Sequence, residues 1–473
     1  MIKTIVLRDI VDRFFDPTTT IVLPETNERL TPFSDLAFNT SENCFYFYRN
    51  GVWLLLPDTN ARTGDTARMI ELFLREYFPT VNTTTTKLIE IKEALLRESP
   101  SRFSTANKVP NYIVFSDLTL DLSTLPFTPT QHARTHFALL SIPFPLSSAN
   151  SPTPTFNAYL NHAFPSPEEQ DFLLSVIGYY LIPYAKEPAA FYLYGPPRTG
   201  KSRFLRLLQS IFTPRFYSSF SLQSLTTDSC AVAELSGKFI NILDEDESER
   251  VASDKFKALV DQNPTEARRL YQAPFTFKPY AKFLFASNQL PNFRYVDGLE
   301  RRLHFIHFKN PVPVASQDKE LDEKLYAELP GIIGKALAAA TSFLGRNGEF
   351  KPPLSSLVLK EEFLRFAMPA AQFVAECAVT LPEADEVASG TWTPNKRLYD
   401  AYATWCHATG HRALSSQNFH RQLLALPNIT TRIVHDERRK NLQLNPSSPY
   451  AYLFGFPPTQ SRDFTDKFSN SPT

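Results

Sequence analysis

The chain contains a loop whose residue types suit the binding of phosphate groups. Residues 195–202 read GPPRTGKS and fit the pattern G-x-x-x-x-G-K-[ST]. Gly195 and Gly200 have no Cβ atom, so backbone N–H groups can approach phosphates closely there. Lys201 would neutralise the β- and γ-phosphate oxygens, and Ser202 would offer its hydroxyl to Mg²⁺. The sequence thus predicts that ATP and Mg²⁺ bind to the whole loop, which also contains Pro196, Pro197, Arg198 and Thr199.

The alternative is a chance match in a surface loop. Glycine is scarce, with 14 among 473 residues, so a pattern that needs two fixed glycines seldom arises by accident. The apolar run 191–194 predicts a buried strand before the loop. After it, Phe204, Leu207, Leu208 and Ile211 recur on one face of a predicted helix. This strand–loop–helix context favours nucleotide binding.

Two acidic side chains follow the next predicted strand. Residues 239–243 form an apolar run that ends at Asp244 and Glu245. Because the carboxyl ends of strands in an open α/β sheet face one crevice, these side chains are expected beside the loop. Asp244 would position Mg²⁺ through water, and Glu245 would polarise the attacking water. Asp246 and Glu247 leave the register open, and a solvated acidic turn is the alternative.

Two further motifs follow in order. A third predicted strand, 282–291, contains Asn288, whose amide would hydrogen-bond the attacking water or the γ-phosphate. Further along, Arg301 and Arg302 precede another apolar run and would reach the γ-phosphate of a neighbouring subunit as an arginine finger. Taken singly, the Asn is also a common turn residue and the arginines a common solvated pair. The order of the four motifs favours the catalytic interpretation.

Taken together, residues 195–308 resemble the superfamily III helicases of the poxvirus-type and phage or plasmid primase–helicase branch. The segments that carry this resemblance read GPPRTGKS, LSGKFINILDEDE, ARRLYQAPFTFKP, KFLFASNQLP and ERRLHFIHF. Weaker similarity extends upstream through YRNGVW, IVFSDLTLDLSTL and IGYYLI, which look like that branch's pre-helicase domain. It also extends downstream to a winged-helix-like region.

The resemblance implies an AAA+-like P-loop ATPase core. Such a core assembles as a hexameric ring around DNA and translocates with 3′-to-5′ polarity. In this chain the corresponding residues are Lys201 and Ser202 (Walker A), Asp244 and Glu245 (Walker B), Asn288 (sensor 1), and Arg301 or Arg302 (arginine finger).

The resemblance also places a DNA-contacting pore hairpin within about 257–279. That segment interleaves cations for phosphates with aromatic faces for bases, as contact with single-stranded DNA requires. The residues expected to contact DNA are Lys257, Arg268, Arg269, Tyr271 and Lys278, alongside Phe275 and Phe277. An ordinary hairpin with one solvated basic side is the alternative. Relatives often have a glycine-containing turn where residues 260–269 have no glycine, which puts the loop conformation in question.

Many relatives also carry a primase domain, which needs a close pair of carboxylates for two metal ions. Asp117 and Asp121 follow a strand–turn pattern that does not direct them to a common metal. The sequence therefore predicts a helicase-only version of the family.

The C-terminal region has the order of a winged-helix element. Residues 415–426 predict a helix, and 429–445 predict a two-stranded wing tipped by Arg438, Arg439 and Lys440. These cations would contact the DNA backbone. A charged hairpin turn that faces solvent is the alternative.

The elements around these motifs predict an α/β protein. An α+β N-terminal domain (1–150) and a helical collar (151–186) would precede the ATPase core (187–345), and a winged-helix-like domain (355–473) would follow it. The 49 basic and 49 acidic residues give no overall attraction to nucleic acid. Four widely separated cysteines and the lack of a long apolar run suit the cytoplasm or a host-cell replication compartment, with no membrane association or secretion.

The sequence as a whole favours an ATP-dependent DNA helicase that serves replication of a plasmid, phage, virus or mobile element. Its expected partners are single-stranded or forked DNA, further copies of the chain in a hexamer, and a separate primase or polymerase. Two other functions stay open. One is a replication initiator or scaffold whose ATP site drives assembly without unwinding, and the other is a monomeric small-molecule kinase.

Overall fold

The structure is a computed structural model that describes residues 7–23, 27–40, 44–56, 64–104, 111–183, 187–246, 251, 253–269, 274–291, 293, 298–380, 392–410, 413–424, 426, 429–434 and 437–454. The chain divides into two compact units. They are Met1–Asn292 with Arg301–Leu357, and Phe293–Glu300 with Val358–Thr473. The finer division at residues 150 and 186 remains a prediction.

The first unit begins with a mixed region of helices and mostly antiparallel strands. Its elements are α1 (Leu7–Phe14), β1 (Ile21–Val22), β2 (Arg29–Leu30), α2 (Pro32–Asp35), β3 (Leu36–Asn39), β4 (Cys44–Arg49), β5 (Val52–Leu55), α3 (Asp65–Tyr77), α4 (Thr85–Glu98), β6 (Arg102–Phe103), β7 (Tyr112–Val114), β8 (Thr119–Asp121), β9 (Thr128–Thr130) and β10 (Leu140–Ser141).

Two four-stranded sheets organise this region, in the orders β5-β4-β3-β6 and β10-β7-β8-β9. An Asn-Gly turn joins β4 to β5 in an antiparallel hairpin. Asn50 and Gly51 both adopt positive φ, at 48° and 87°, as the tightest hairpin turns require. Trp53 on β5 is buried, and its indole Nε1 donates to the Arg134 carbonyl at 2.9 Å.

The rest of the first unit is built from long helices around a parallel sheet. Its elements are α5 (Pro154–Ala163), α6 (Pro167–Leu181), β11 (Ala190–Tyr194), α7 (Lys201–Phe216), β12 (Tyr217–Ser218), α8 (Leu222–Thr227), α9 (Ser229–Ala233), β13 (Ile240–Leu243), α10 (Ser253–Val260), β14 (Thr265–Ala267), β15 (Phe275–Phe277), β16 (Lys282–Ser287), α11 (Leu299–Arg302), β17 (Leu303–His307), α12 (Leu321–Ala327) and α13 (Leu329–Gly345).

Five parallel strands form this sheet in the order β12-β13-β16-β11-β17. The interior strand β11 is apolar and buried, as is usual for strands of parallel sheets that are covered on both faces. The predicted helix after the loop is confirmed as α7. All four residues of its predicted apolar face are buried, and they are Phe204, Leu207, Leu208 and Ile211. The sheet and its helices make an α/β domain, as the sequence predicts.

A buried cation joins α6 to the sheet. Lys282 begins β16 and is 3% exposed. Its Nζ donates to the carbonyls of Tyr179 and Ile182 at the end of α6 and lies 4.3 Å from the Tyr179 ring centroid. Carbonyls at a helix C-terminus attract a cation. Burial lowers the pKa of Lys282 well below its ordinary value.

The start of α5 is capped by a distant carboxylate. Thr153, at its N-cap, makes no side-chain cap. Instead Glu328, between α12 and α13, accepts hydrogen bonds from the backbone N–H groups of Thr155 and Phe156, both at 2.8 Å. Burial raises the pKa of Glu328, but the hydrogen bonds outweigh burial and hold the pKa below its ordinary value. These hydrogen bonds hold the start of α5 against the junction of α12 and α13.

The second unit contains most of the C-terminal elements. They are α14 (Leu354–Ala367), which enters from the first unit, α15 (Pro369–Cys377), β18 (Ala378–Thr380), β19 (Thr393–Pro394), α16 (Asn395–Thr409), α17 (Ser416–Leu424), β20 (Thr431–Val434), β21 (Glu437–Lys440) and β22 (Leu442–Leu444). Its core packs the rings of Phe373, Tyr402, Trp405 and Phe419. The order of a helix, α17, followed by the antiparallel pair β20–β21 agrees with the sequence prediction.

We expect Glu328→Gln to lower the free energy of unfolding by about 1 kcal/mol at pH 7, since it removes a charged cap from α5. A carboxylate with a lowered pKa stabilises the fold above its unfolded value, which for Glu is 4.5. That stability is lost as the pH falls through the folded value. The difference between wild type and variant in the free energy of unfolding, measured by urea denaturation, should therefore become smaller below pH 4.5.

Glu320→Gln is the matched control, because the Glu320 side chain is 72% exposed and pairs only loosely with Lys324. A Glu328→Gln variant as stable as this control at pH 7 would contradict the capping role.

Candidate functional site

The predicted phosphate-binding loop lies where three parallel strands end. The loop follows β11, Asn288 follows β16, and Asp244 follows β13. Tyr194 pairs with Ser287 in the parallel ladder, so the next residues, Gly195 and Asn288, leave the sheet side by side. The structure thus brings together three of the four motifs that the sequence predicts to cooperate.

The two glycines of the loop are required by close contacts. A Cβ atom on Gly195 would lie 2.0 Å from the Phe308 carbonyl oxygen. Gly200 has a φ of 99°, and a Cβ there would meet the Tyr159 ring at 3.0 Å. Any larger side chain would displace the loop, so the loop's shape depends on glycine at both positions.

Lys201 is held in the centre of the loop. It is 7% exposed. Its Nζ donates to the carbonyls of Gly195 at 2.6 Å and Pro196 at 2.9 Å, and to Asn288 Oδ1 at 2.9 Å. Burial lowers the pKa of Lys201, while the charges of Asp244 and Glu245 oppose that shift. The ammonium is therefore surrounded by oxygen acceptors that phosphate oxygens can replace.

The structure settles the register of the acidic turn for three of its four residues. Asp244 and Glu245 are exposed and line the same cavity as Lys201. Asp246 is 4% exposed, and its backbone N–H donates to the Ala286 carbonyl at 2.8 Å. Glu247 lies outside the described residues. Glu245 has a φ of 55°, a left-handed conformation that is uncommon outside glycine and concentrates at functional sites.

A cavity of about 270 Å³ contains these groups. Its lining includes Arg198, Thr199, Gly200, Lys201, Ser202, Asp244, Glu245 and Asn288. A second wall, which the sequence did not predict, is formed by Tyr159, His162, Val312, Gln317, Asp318 and Leu321. Only the tertiary fold brings α5 and the segment after β17 to the loop.

The second wall is hydrogen-bonded to the loop at two points. The Tyr159 hydroxyl donates to the Gly200 carbonyl at 3.1 Å, and the Val312 N–H donates to the Arg198 carbonyl at 2.9 Å. Tyr159 is 9% exposed, and burial raises its pKa, so it stays a neutral donor. Arg198, like Glu245, has a positive φ, at 66°. These contacts fix the loop conformation from outside its own sequence.

The donor set at this edge fits Mg²⁺ bound together with a polyphosphate. The Ser202 hydroxyl and the carboxylates of Asp244 and Glu245 are hard oxygen donors in one cavity. Mg²⁺ is usually held by one or two carboxylates, waters and substrate phosphates rather than by a cage of protein ligands. Within the described parts of the chain, no cluster of three or more His, Cys, Asp or Glu side chains could hold a metal ion.

The two arginines lie elsewhere. Leu303, directly after Arg302, pairs with Ala190 at the start of β11, whereas the loop follows the end of β11. Five residues of strand therefore separate the arginines from the loop, or about 16 Å. Arg302 donates from Nε to Asp261 Oδ1 and from Nη2 to Asp261 Oδ2, the latter at 2.8 Å, and Arg301 is exposed. Neither is among the described residues that line the cavity.

The hairpin between β13 and β16 is present. β14 pairs with β15 from Thr265 opposite Phe277 to Ala267 opposite Phe275. Arg268 is exposed beyond this pair, and the Arg269 guanidinium lies 4.8 Å from the Phe275 ring centroid. The glycine-free segment 260–269 is therefore not the hairpin turn, because the strands are connected through 268–274.

Three further residues of this segment are predicted to contact DNA. Lys257, on α10, and Lys278, just after β15, are half-buried. Tyr271 lies outside the described residues.

The C-terminal cations differ from the prediction. They are strand residues of β21 rather than a tip, because Val434 pairs with Glu437 and the turn falls before them. Arg438 is exposed and Arg439 is half-buried. Lys440 is 1% exposed, and its Nζ donates to Thr431 Oγ1 at 2.6 Å. Burial lowers its pKa to about 8. This position does not allow Lys440 to contact a DNA phosphate, so that expectation is corrected.

The fold and the cavity define an α/β domain of the nucleotide-binding type. Residues 193–302 match the model of a family described as a family of unknown function, DUF5906. Residues 369–447 match the family described as Poxvirus D5 protein-like. The second match agrees with the poxvirus-type resemblance of the sequence. A comparison with curated proteins finds no significant match.

Similar solved structures include two of the C-terminal region of NrS-1. One, described as the A form apo structure, has a TM-score of 0.44 and 14% identity, and covers 86% of this chain and 94% of that one. A second apo structure has a TM-score of 0.40 and 13% identity, and covers 86% of this chain and 95% of that one. The likeness spans most of both chains at low identity.

We expect Lys201→Ala to abolish ATP turnover, to below about a hundredth of wild type, because it removes the cation at the centre of the loop. The fold should persist, since Lys201 and its acceptor Asn288 both line the cavity, where water can take the place of the ammonium. Turnover and the thermal unfolding midpoint are measured in parallel, with Lys309→Ala as the control because Lys309 is exposed and outside the cavity. Normal turnover in Lys201→Ala would refute the site.

Proposed function

We propose that the protein is an ATP-dependent DNA helicase that works as a hexameric ring during replication of a plasmid, phage, virus or mobile element. The observation that carries the proposal is the cavity that joins Lys201, Ser202, Asp244, Glu245 and Asn288 at one edge of a parallel sheet. Its core is AAA+-like in this proposal, and the C-terminal unit is a winged-helix-like domain. The poxvirus-type match over residues 369–447 supports this assignment.

The side chains of the cavity divide the chemistry between them. Lys201 exchanges its contacts with Gly195, Pro196 and Asn288 for phosphate oxygens. Ser202 and Asp244 would hold Mg²⁺, which when bound would neutralise charge on the phosphates. Glu245 accepts a hydrogen bond from the attacking water and orients it. Asn288, released from Lys201, can then bond the γ-phosphate or that water.

The arginine finger acts on a neighbouring subunit in this proposal. Because Arg301 and Arg302 lie at the sheet edge opposite the loop, their position favours contact with a neighbour's nucleotide. Arg302 is engaged by Asp261 within its own chain, whereas Arg301 is exposed beside it. We therefore assign the arginine finger to Arg301. A closed ring gives every site one such arginine, which explains why assembly and hydrolysis would depend on each other.

DNA contacts fall on the hairpin and the C-terminal unit. Arg268 and Arg269 next to Phe275 offer a cation and an aromatic face, which suits single-stranded DNA without sequence preference. Arg438 and Arg439 are proposed to meet the DNA backbone from β21. Priming and synthesis fall to a separate primase or polymerase in this proposal, in the cytoplasm or a host-cell replication compartment. No helix in the described part of the chain is long and apolar enough to cross a membrane.

The decisive test is strand displacement on a forked duplex with a 3′ tail. We expect ATP-dependent unwinding by the wild type and none by Lys201→Ala, because translocation requires hydrolysis. A duplex with only a 5′ tail controls for polarity. Binding of the fork in the presence of ATP without unwinding would contradict the helicase and indicate an assembly scaffold. A monomer that hydrolyses ATP without DNA would indicate the small-molecule kinase.

Mixed rings test whether Arg301 acts in trans. Arg301→Ala alone should lose about 10³-fold in turnover, as removal of an arginine finger does. Mixing it with the inactive Lys201→Ala protein should restore turnover, since an intact loop of one subunit can then meet an intact Arg301 of the other. Each variant alone is the control. A mixture as inactive as its components would contradict the assignment.

A further inference from the structure

A bidentate ion pair links two segments that lie far apart along the chain. Arg302 presents two N–H groups to the two carboxylate oxygens of Asp261, with Nη2 to Oδ2 at 2.8 Å. The two side chains are only 19% and 18% exposed. A guanidinium held at two points in partial burial is fixed in orientation as well as position.

The two ends of this ion pair belong to the two segments that act in the proposed function, one on DNA and one on the nucleotide of a neighbouring subunit. Asp261 directly follows α10 and precedes the first hairpin strand, β14, by a short loop. Arg302 ends α11 and is adjacent to Arg301. The pair therefore joins the base of the hairpin to the segment that carries the arginine finger.

The helix before Asp261 is held against the sheet. Phe256 on α10 packs between the rings of Phe283 and Phe285 on β16, at 5.5 and 6.1 Å between centroids, which anchors α10 to the sheet. After α10, the chain turns sharply at Gln262, which has a φ of 53°. Residues 261–264 connect this anchored helix to the hairpin. The backbone N–H groups of Asp261 and Asn263 bond back to α10, which fixes Asp261 at the start of the connection.

The chain between Asp261 and Arg302 contains both strands of the hairpin and the strand that leads to the candidate site. It includes β14, β15 and β16, and β16 leads to Asn288, which contacts Lys201 at 2.9 Å. The ion pair closes this segment into a loop. A displacement of Arg302 would therefore reach Asp261, at the base of the hairpin, directly through the ion pair.

We propose that Asp261 is a positioning residue that couples Arg301, at a neighbour's nucleotide, to the DNA-contacting hairpin of its own subunit. The inference rests on the proposed helicase function. When Arg301 is drawn towards a γ-phosphate, Arg302 moves with it, and Asp261 transmits the shift to β14. Asp261 touches neither nucleotide nor DNA, so its loss uncouples the two events without removing either site.

The experiment measures ATP turnover of the full chain with and without single-stranded oligo-dT. In Asp261→Asn, which keeps the shape and one acceptor, we expect turnover without DNA to stay within about twofold of wild type. The stimulation by DNA should fall about fivefold or more. Arg302→Lys should behave in the same way towards DNA, since Lys keeps the charge but cannot make two parallel hydrogen bonds. The double variant Asp261→Arg with Arg302→Asp should regain part of the stimulation.

Asp35→Asn is the matched control. It breaks the pair of Asp35 with Arg134, whose N–O distance is 2.7 Å and whose carboxylate side chain is also 18% exposed. This pair lies far in sequence from the five-stranded parallel sheet. Its loss should therefore not affect the stimulation of ATP turnover by DNA. Thermal unfolding midpoints of all variants show whether any loss reflects unfolding, and Arg302→Lys replaces Asp261→Asn if the latter is unstable.

The outcomes separate this inference from the proposed function. A wild type whose turnover ignores DNA would contradict the helicase and the coupling together. Wild-type stimulation that survives in both Asp261→Asn and Arg302→Lys would overturn the coupling alone. Loss of stimulation in both single variants with no recovery in the charge swap would also overturn it, because the effect would then not belong to the pair.

Discussion

Three parallel strands, β11, β16 and β13, end at one edge of the sheet, and the candidate site depends on this shared edge. The ladder places Tyr194 opposite Ser287, so the loop and Asn288 emerge together and Lys201 can reach the amide. In a β-sheet a shift of one residue sends every side chain to the opposite face. Buried side chains on both faces of these strands oppose such a shift, and packing thereby fixes the positions of the side chains at this edge.

The loop is also held from a second direction. Tyr159 on α5 and Val312 after β17 each donate a hydrogen bond to a loop carbonyl. Since α5 is in turn capped by Glu328, the conformation of the predicted phosphate-binding loop is tied to helices that contribute no candidate catalytic group. One wall of the cavity carries the candidate catalytic groups, and the other wall supports the loop. Such a cavity can keep its hydrogen-bond donors in place before a ligand arrives, and electrostatic catalysis requires this property.

Parallel strands have a second consequence. Residues that enter the sheet, such as Arg301 before β17, are separated by the full strand length from residues that leave it, such as Lys201. In the proposed function, one subunit would carry two different halves of a site at opposite ends of the strands, and a ring would unite them. The Asp261–Arg302 pair joins the entering end to the base of the hairpin, and in that proposal it would link nucleotide to DNA.

The sequence by itself determined the local parts of this arrangement. The loop, its flanking strand and helix, the acids after β13 and the Asn after β16 follow from patterns a few residues long, because a strand, a turn and a helix start each have local signals. Tertiary structure alone decided which acids face the cavity, with Asp246 turned inward and Asp244 and Glu245 outward. It also supplied Tyr159, joined Arg302 to Asp261 and buried Lys440. These features depend on pairing and packing between residues distant in the chain, and no local pattern encodes which side chains such contacts will bury.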